Sequence, residues 1–177
     1  MDKTGERVLV RSMRWEDLDG LLELANDLVA ERDDNPDLGI ILDQKQTRDS
    51  EAQFVSSMLL GIENGSVINV LTEANGKVVG NSEITRGKSS DEYHHGKLGI
   101  AIIRKYRDRG IGREMLNTLI EESRRTGLKT LELEVFADNK KAAHLYKSVG
   151  FKRVGTIPKK IFRKGEFHDI IVMSMVL

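Results

Sequence analysis

The run "RKYRDRGIGREML" begins at Arg104, and four of its first six residues are basic. Gly110 and Gly112 flank one isoleucine, and an apolar helical pattern follows at once in Ile111, Met115, Leu116, Leu119 and Ile120. The first N–H groups of a helix have no internal acceptors, and the helix dipole adds about half a positive charge there. Glycines at such a point let an oxygen approach the backbone, and Arg107 and Arg109 supply charge-assisted donors. The spacing spells an anion cradle, although a tight turn with solvated arginines has the same composition. A dinucleotide fingerprint would need a glycine where Met115 stands, and a P-loop would need Gly-Lys-Ser/Thr where "GRE" stands.

A second group lies downstream in "NKKAAHLYKSVGF", with Asn139, Ala142, Leu145, Tyr146, Gly150 and Phe151. Tyr146 shares a helical stripe with Ala142, Leu145 and Val149, so it reads either as a core ring or as an O–H donor aimed into a cleft. Glu83 and Glu134 fall in strand patterns, where a carboxylate is either solvated or a proton acceptor. His94 and His95 are adjacent, and neighbours on a strand face opposite ways, so a shared metal ion is disfavoured and none is expected.

The elements that would hold these residues follow from periodicity. "RVLVRSM" is β-rich, and residues 15–32 carry Leu18, Leu21, Leu22, Ala25, Leu28 and Val29 at helical spacing. "DDNPDLG" breaks that helix; Phe54, Val55, Met58, Leu59 and Ile62 mark a second, ended by "ENG". "SVINVLTEA" and "KVVGNSEITR" form a hairpin at Asn75-Gly76, and "YHHGKLGIAII" continues the group. A helix runs from Gly110 to a stop at Gly127, "LKTLELEVF" alternates as a strand, and "NKKAAHLYKSV" is a helix closed by Gly150. The chain finishes as a hairpin, "FKRVGTIPKKIF" and "EFHDIIVMSMVL", turning at Lys164-Gly165. The order β-α-α-β-β-β-α-β-α-β-β predicts one mixed α/β (α+β) domain over residues 1–177, with mostly antiparallel strands.

Composition narrows the classes. Lys+Arg and Asp+Glu are both 28 in 177 residues, and a dedicated nucleic-acid binder would be more basic. There is no cysteine, which excludes disulfides, thiol nucleophiles and thiolate metal sites. The start lacks a signal-peptide layout and the longest apolar run, "IIVM", is too short to span a bilayer, so a cytoplasmic protein without membrane or nucleic-acid partners is expected.

Arg107-x-x-Gly110-x-Gly112 followed by Asn139-x-x-Ala142-x-x-Leu145-Tyr146-x-x-x-Gly150-Phe151 resembles the GNAT superfamily of acetyl-CoA-dependent N-acetyltransferases, and the element order matches along essentially the whole chain. The resemblance implies that the anion is the pyrophosphate of coenzyme A. It assigns Ile102, Ile103, Arg107, Asp108, Arg109, Gly110, Ile111, Gly112, Arg113, Asn139, Ala142 and Tyr146 to the acetyl-CoA site. The fourth strand, at residues 98–103, would splay from the fifth, at 129–136, and receive the pantetheine arm. A backbone amide there would polarise the thioester carbonyl. By the same resemblance Tyr146 protonates the departing thiolate.

Many relatives carry a glutamate base in the fourth strand, where this chain has Leu98, Gly99 and Ile100; Glu83 is the substitute singled out, with Glu134, His94 and His95 beside it. The acceptor would be a small-molecule or peptide amine. Its walls would include Glu31, Asp33, Asp34, Asp37 and Asp43, with Glu166 and Asp169 from the closing hairpin, which points to a cationic amine such as a polyamine or basic peptide end. A non-catalytic acyl-CoA-binding module of the same fold is the alternative, and pairing of C-terminal strands would give a homodimer.

Overall fold

A computed structural model describes residues 1–35, 38–39 and 42–177, with only the backbone of Asp33. Strand β1 (Val8–Arg11) leads through a 3₁₀ turn (Trp15–Asp17) into α1 (Leu18–Asp34) and then α2 (Arg48–Glu63). The meander β2 (Val67–Ala74), β3 (Lys77–Arg86) and β4 (His95–Ile102) follows, then α3 (Ile111–Arg125), β5 (Thr130–Phe136), α4 (Lys140–Ser148), β6 (Lys152–Arg163) and β7 (Glu166–Val176). The predicted order therefore holds throughout the described residues.

Local chemistry explains where the elements start. The Asp17 carboxylate accepts from the Arg14 N–H at 2.7 Å and pairs with both terminal nitrogens of Arg11, so strand and helix are separated by a turn instead of the continuous helix from Trp15. Thr47 and Ser50 cap α2 reciprocally. Asn75 and Gly76 both have positive φ, 51° and 74°, as a tight two-residue hairpin requires. Arg86 donates to the carbonyls of Gly65, Tyr93 and Thr126, which holds Tyr93 in a turn and delays β4 to His95. Pro158 is tolerated because β6 is an edge strand whose register slips between Ile157 and Ile161.

The sheet order is β1-β2-β3-β4-β5-β7-β6. Gly80 of β3 faces α3, where a Cβ would meet Met115 Sδ at 3.3 Å. Residues on the other face pack under α1 and α2: a Cβ on Gly61 of α2 would lie 2.5 Å from Val67 Cγ2. Alternation and register put Asn69 and Leu71 of β2, Asn81 and Glu83 of β3, and Gly99 of β4 on this α1–α2 face. Leu71, Val79, Ile84, Met115, Leu116, Leu119, Leu131 and Leu133 are all but fully buried on the two sides.

The one parallel pair among the described residues, β4 with β5, is bonded only from His95–Lys97 to Thr130–Glu132. Beyond Lys97, β4 stays with β3 as far as Ile102 while β5 stays with β7 as far as Phe136. The two strands leave a wedge between them that opens toward the end of β4. No described helix is long and apolar enough to cross a membrane.

Candidate active site

At the end of β4 the chain makes a 3₁₀ turn (Arg104–Tyr106), and Asp108 and Gly110 then take positive φ, 61° and 90°, before α3 begins. Gly110 is the N-cap, and only a glycine adopts that conformation without strain. Among the described residues, none accepts a hydrogen bond from the N–H groups of Asp108, Arg109, Gly110, Ile111 or Gly112. Five consecutive backbone donors at a helix start form a concave anion site, and they suit a phosphate group.

Both arginine side chains of the turn have partners within the chain. Arg107 Nε donates to the Ile102 carbonyl at 2.7 Å, and its terminal nitrogens grip Glu31 at 2.5 and 2.8 Å. It ties the end of α1 to the end of β4. Arg109 pairs with Asp2 and Glu6 and lies over the Tyr106 ring, so the N-terminal residues strap the turn in place. Hydrogen bonds, led by the Thr4 hydroxyl, hold the Asp2 carboxyl down at about 2. Gly112 also has another reason: a Cβ there would sit 3.0 Å from Leu145 and 3.3 Å from Ile102, so it allows α3 to approach α4 and β4.

The remaining members of the predicted cofactor set cluster around this turn. The Ile103 N–H donates to the Val79 carbonyl, Ile111 is buried, Asp108 pairs with Lys141 of α4, and Arg113 reaches Ser148. Asn139 caps α4 by accepting from the Ala142 N–H at 3.1 Å. One turn further on, the Tyr146 ring is 8% exposed and packs edge-on against Phe151. No described residue hydrogen-bonds its hydroxyl, and burial pushes the phenol up to about 12.

Glu83 is paired in register with Gly99. A Cβ on Gly99 would lie only 2.6 Å from Glu83 Oε1, so the carboxylate fills space that a side chain on β4 would occupy. A carboxylate from β3 thus leans over a glycine on β4, the strand in which the sequence lacks a glutamate. Burial pushes the Glu83 carboxyl above the usual carboxylate range. Glu134 is the opposite case: burial acts to raise it, but hydrogen bonds from Lys160 and Lys97 win and hold it below that range. Each of those two lysines engages one of its oxygens, which favours the charged carboxylate. His95 bonds Thr130, and His94 precedes β4.

Sequence reasoning passed over Asn69 and Asn81 and took Gly99 only as part of the gap left by a missing glutamate. Two asparagines near a glutamate on paired strands were the available signal, but it has meaning only with the register known. Of the acidic residues assigned to the acceptor wall, Glu31 is taken by Arg107, and Asp169 accepts from the Lys159 N–H. Asp37 and the side chain of Asp33 lie outside the described residues.

Residues 28–151 match the model of the acetyltransferase (GNAT) family. The chain belongs to the GNAT family. It is 31% identical over 102 residues to the L-amino acid N-acetyltransferase AaaT of Escherichia coli, a match covering 57% of this chain and 63% of that enzyme. The chain therefore spans under two thirds of that relative's length. The structure of a ribosomal-protein-alanine N-acetyltransferase from Brucella melitensis superposes with a TM-score of 0.83 at 26% identity, covering 96% of this chain and 99% of that one. The fold is also that of yncA, an acetyltransferase of Salmonella typhimurium solved with its cofactor acetyl-CoA (TM-score 0.83, 20% identity, 96% of this chain and 94% of that one).

Proposed function

We propose that this GNAT chain works as one catalytic domain over residues 1–177, transferring an acetyl group from acetyl-CoA to a primary amine. The observation that carries the reading is the wedge between β4 and β5 ending at five backbone N–H groups that have no partner among the described residues. The amides of Asp108 to Gly112 would hold the pyrophosphate, with Asn139 and Ala142 at the start of α4 beside them. The bound group supplies an activated acetyl thioester.

Glu83 takes a proton from the attacking nitrogen. Its raised pKa brings it closer to that of the amine than an ordinary carboxylate would be. Tyr146 donates its phenol hydrogen bond to the departing sulfur. With the phenol near 12 and a thiol near about 8.5, full proton transfer is uphill, so Tyr146 stabilises the developing thiolate and solvent completes protonation. This refines the role of outright proton donor.

The acceptor amine is the finer question. Asp34 and Glu166 remain exposed carboxylates near the α1 end and closing hairpin, and they support a cationic acceptor. A second reading has its own observation: the similar enzyme AaaT is an L-amino acid N-acetyltransferase, which favours an amino acid as acceptor. An amine panel scored by CoA thiol release and product mass decides between them. It should hold L-amino acids, a peptide beginning with alanine, and a polyamine. Acetylated product from any member supports the enzyme. Tight acetyl-CoA binding with no product from all of them would leave a binding module in place of a catalyst.

A further inference from the structure

A buried chain of amide groups crosses the sheet and ends on Glu83. The Met13 N–H donates to Asn69 Oδ1 at 2.9 Å. Asn69 Nδ2 donates to the Ser82 carbonyl at 3.1 Å and to Asn81 Oδ1 at 2.8 Å. Asn81 Nδ2 in turn donates to Glu83 Oε2 at 3.2 Å. Asn69 and Asn81 are 5% and 9% exposed, so water does not readily substitute for these partners.

The polarity of this chain is forced. A backbone N–H can only donate and a backbone carbonyl can only accept, so Met13 and Ser82 together fix which end of the Asn69 amide points where. Asn69 then presents an N–H to Asn81, which must answer with its oxygen and turn its NH₂ to Glu83. Flipping Asn81 would set NH₂ against NH₂ on one side and oxygen against carboxylate on the other. We propose that Asn69 and Asn81 are positioning residues that deliver a fixed N–H donor to Glu83, holding one carboxylate oxygen and leaving Oε1 at Gly99 for the acceptor amine. This rests on the reading of Glu83 as the base.

The surroundings leave the relay as the main polar control on Glu83. On the same face, Gly99 is opposite it on β4 and Lys97 lies one pair along, where it is held by Glu134. Glu132 shares the Lys97 pair on β5. From the helices, α1 presents Leu21, Leu24 and Leu28, and α2 presents Glu51 on the stripe of Val55 and Met58. Asp17 is engaged with Arg11 beside β1. Burial raises the Glu83 carboxyl, and an N–H from Asn81 opposes that rise by stabilising the charged form.

The test uses Asn81→Ala and Asn69→Ala in the full chain, with thermal melts to confirm folding. The Glu83 carboxyl is titrated by ¹³C NMR, its signal assigned by its loss in Glu83→Gln. Loss of the donor in Asn81→Ala should raise the Glu83 midpoint by about one pH unit. Asn69→Ala, which only frees Asn81 to turn, should raise it by less. Asn81→Leu keeps the bulk, loses the donor and adds no charge, so it should also move the midpoint up if the alanine variants fold poorly. Unmoved midpoints in the folded variants would overturn the relay. The acidic limb of kcat/KM should follow the NMR midpoint upward. A midpoint that moves while the limb stays put upholds the relay and removes Glu83 as base, so the two failures are separable.

Discussion

Gly99→Ala is the substitution that tests the site most sharply, because its effect can be worked from one distance. The new Cβ would lie 2.6 Å from Glu83 Oε1 and 3.3 Å from its Cδ. A carbon–oxygen contact relaxes near about 3.4 Å, a little under the carbon–carbon optimum, so the carboxylate must retreat by about 0.8 Å. The backbone is spared, since the obstructing atom is the end of a flexible side chain. Replacing a strand glycine by alanine itself favours folding by about 0.5–1 kcal/mol, so Tm should hold or rise slightly. A misplacement near 1 Å in a reacting group costs on the order of 10²-fold, so kcat should fall by roughly 10- to 100-fold. Acetyl-CoA affinity should not move, because the amides of Asp108 to Gly112 are untouched. Initial rates of thiol release and calorimetric titration with acetyl-CoA measure both. Added to Glu83→Gln, the alanine should cause little further loss, since both act on one group. A Gly99→Ala enzyme with a kcat within twofold of the parent would refute Glu83 as the base.

Three further outcomes follow from the same geometry. Tyr146→Phe should lower kcat by roughly 10²-fold at unchanged acetyl-CoA affinity; it should also remove part of the alkaline instability, because a phenol held at about 12 when folded and near 10 when unfolded loses stability as pH rises between those values. Unchanged kcat would return the ring to a packing role. Glu83→Gln should make the protein more stable at neutral pH, with the gain vanishing in acid: a raised folded pKa means stability falls as pH climbs from the unfolded value through the folded one, and glutamine does not titrate. Denaturant melts at pH 4 and pH 7 read the difference, and equal shifts at both would contradict it. Arg107→Met should remove about 2 kcal/mol and lower Tm by about 4–8 °C, while acetyl-CoA affinity falls less than tenfold. An intact Tm with a hundredfold weaker affinity would instead put the guanidinium on the phosphate.

The sequence by itself determined the element order, the hairpin at Asn75-Gly76, the helix start at Gly110 and the placing of Tyr146, because these depend on local periodicity and on backbone conformations that few residues adopt. It did not determine the work of the turn's arginines. Their partners, Glu31 for Arg107 and Asp2 and Glu6 for Arg109, are remote in the chain and meet them only when α1 and the N-terminus fold over the end of β4. Nor did it determine the surroundings of Glu83. A regular two-residue hairpin at Asn75-Gly76 would set Asn69 opposite Ser82, with Glu83 on the α3 face. An irregularity between Thr72 and Glu73 moves the register by one, so that Asn69 faces Glu83 and the glutamate leans over Gly99 on the α1–α2 side. A one-residue slip reverses every side chain beyond it, and only packing against the helices on both faces decides where that slip falls.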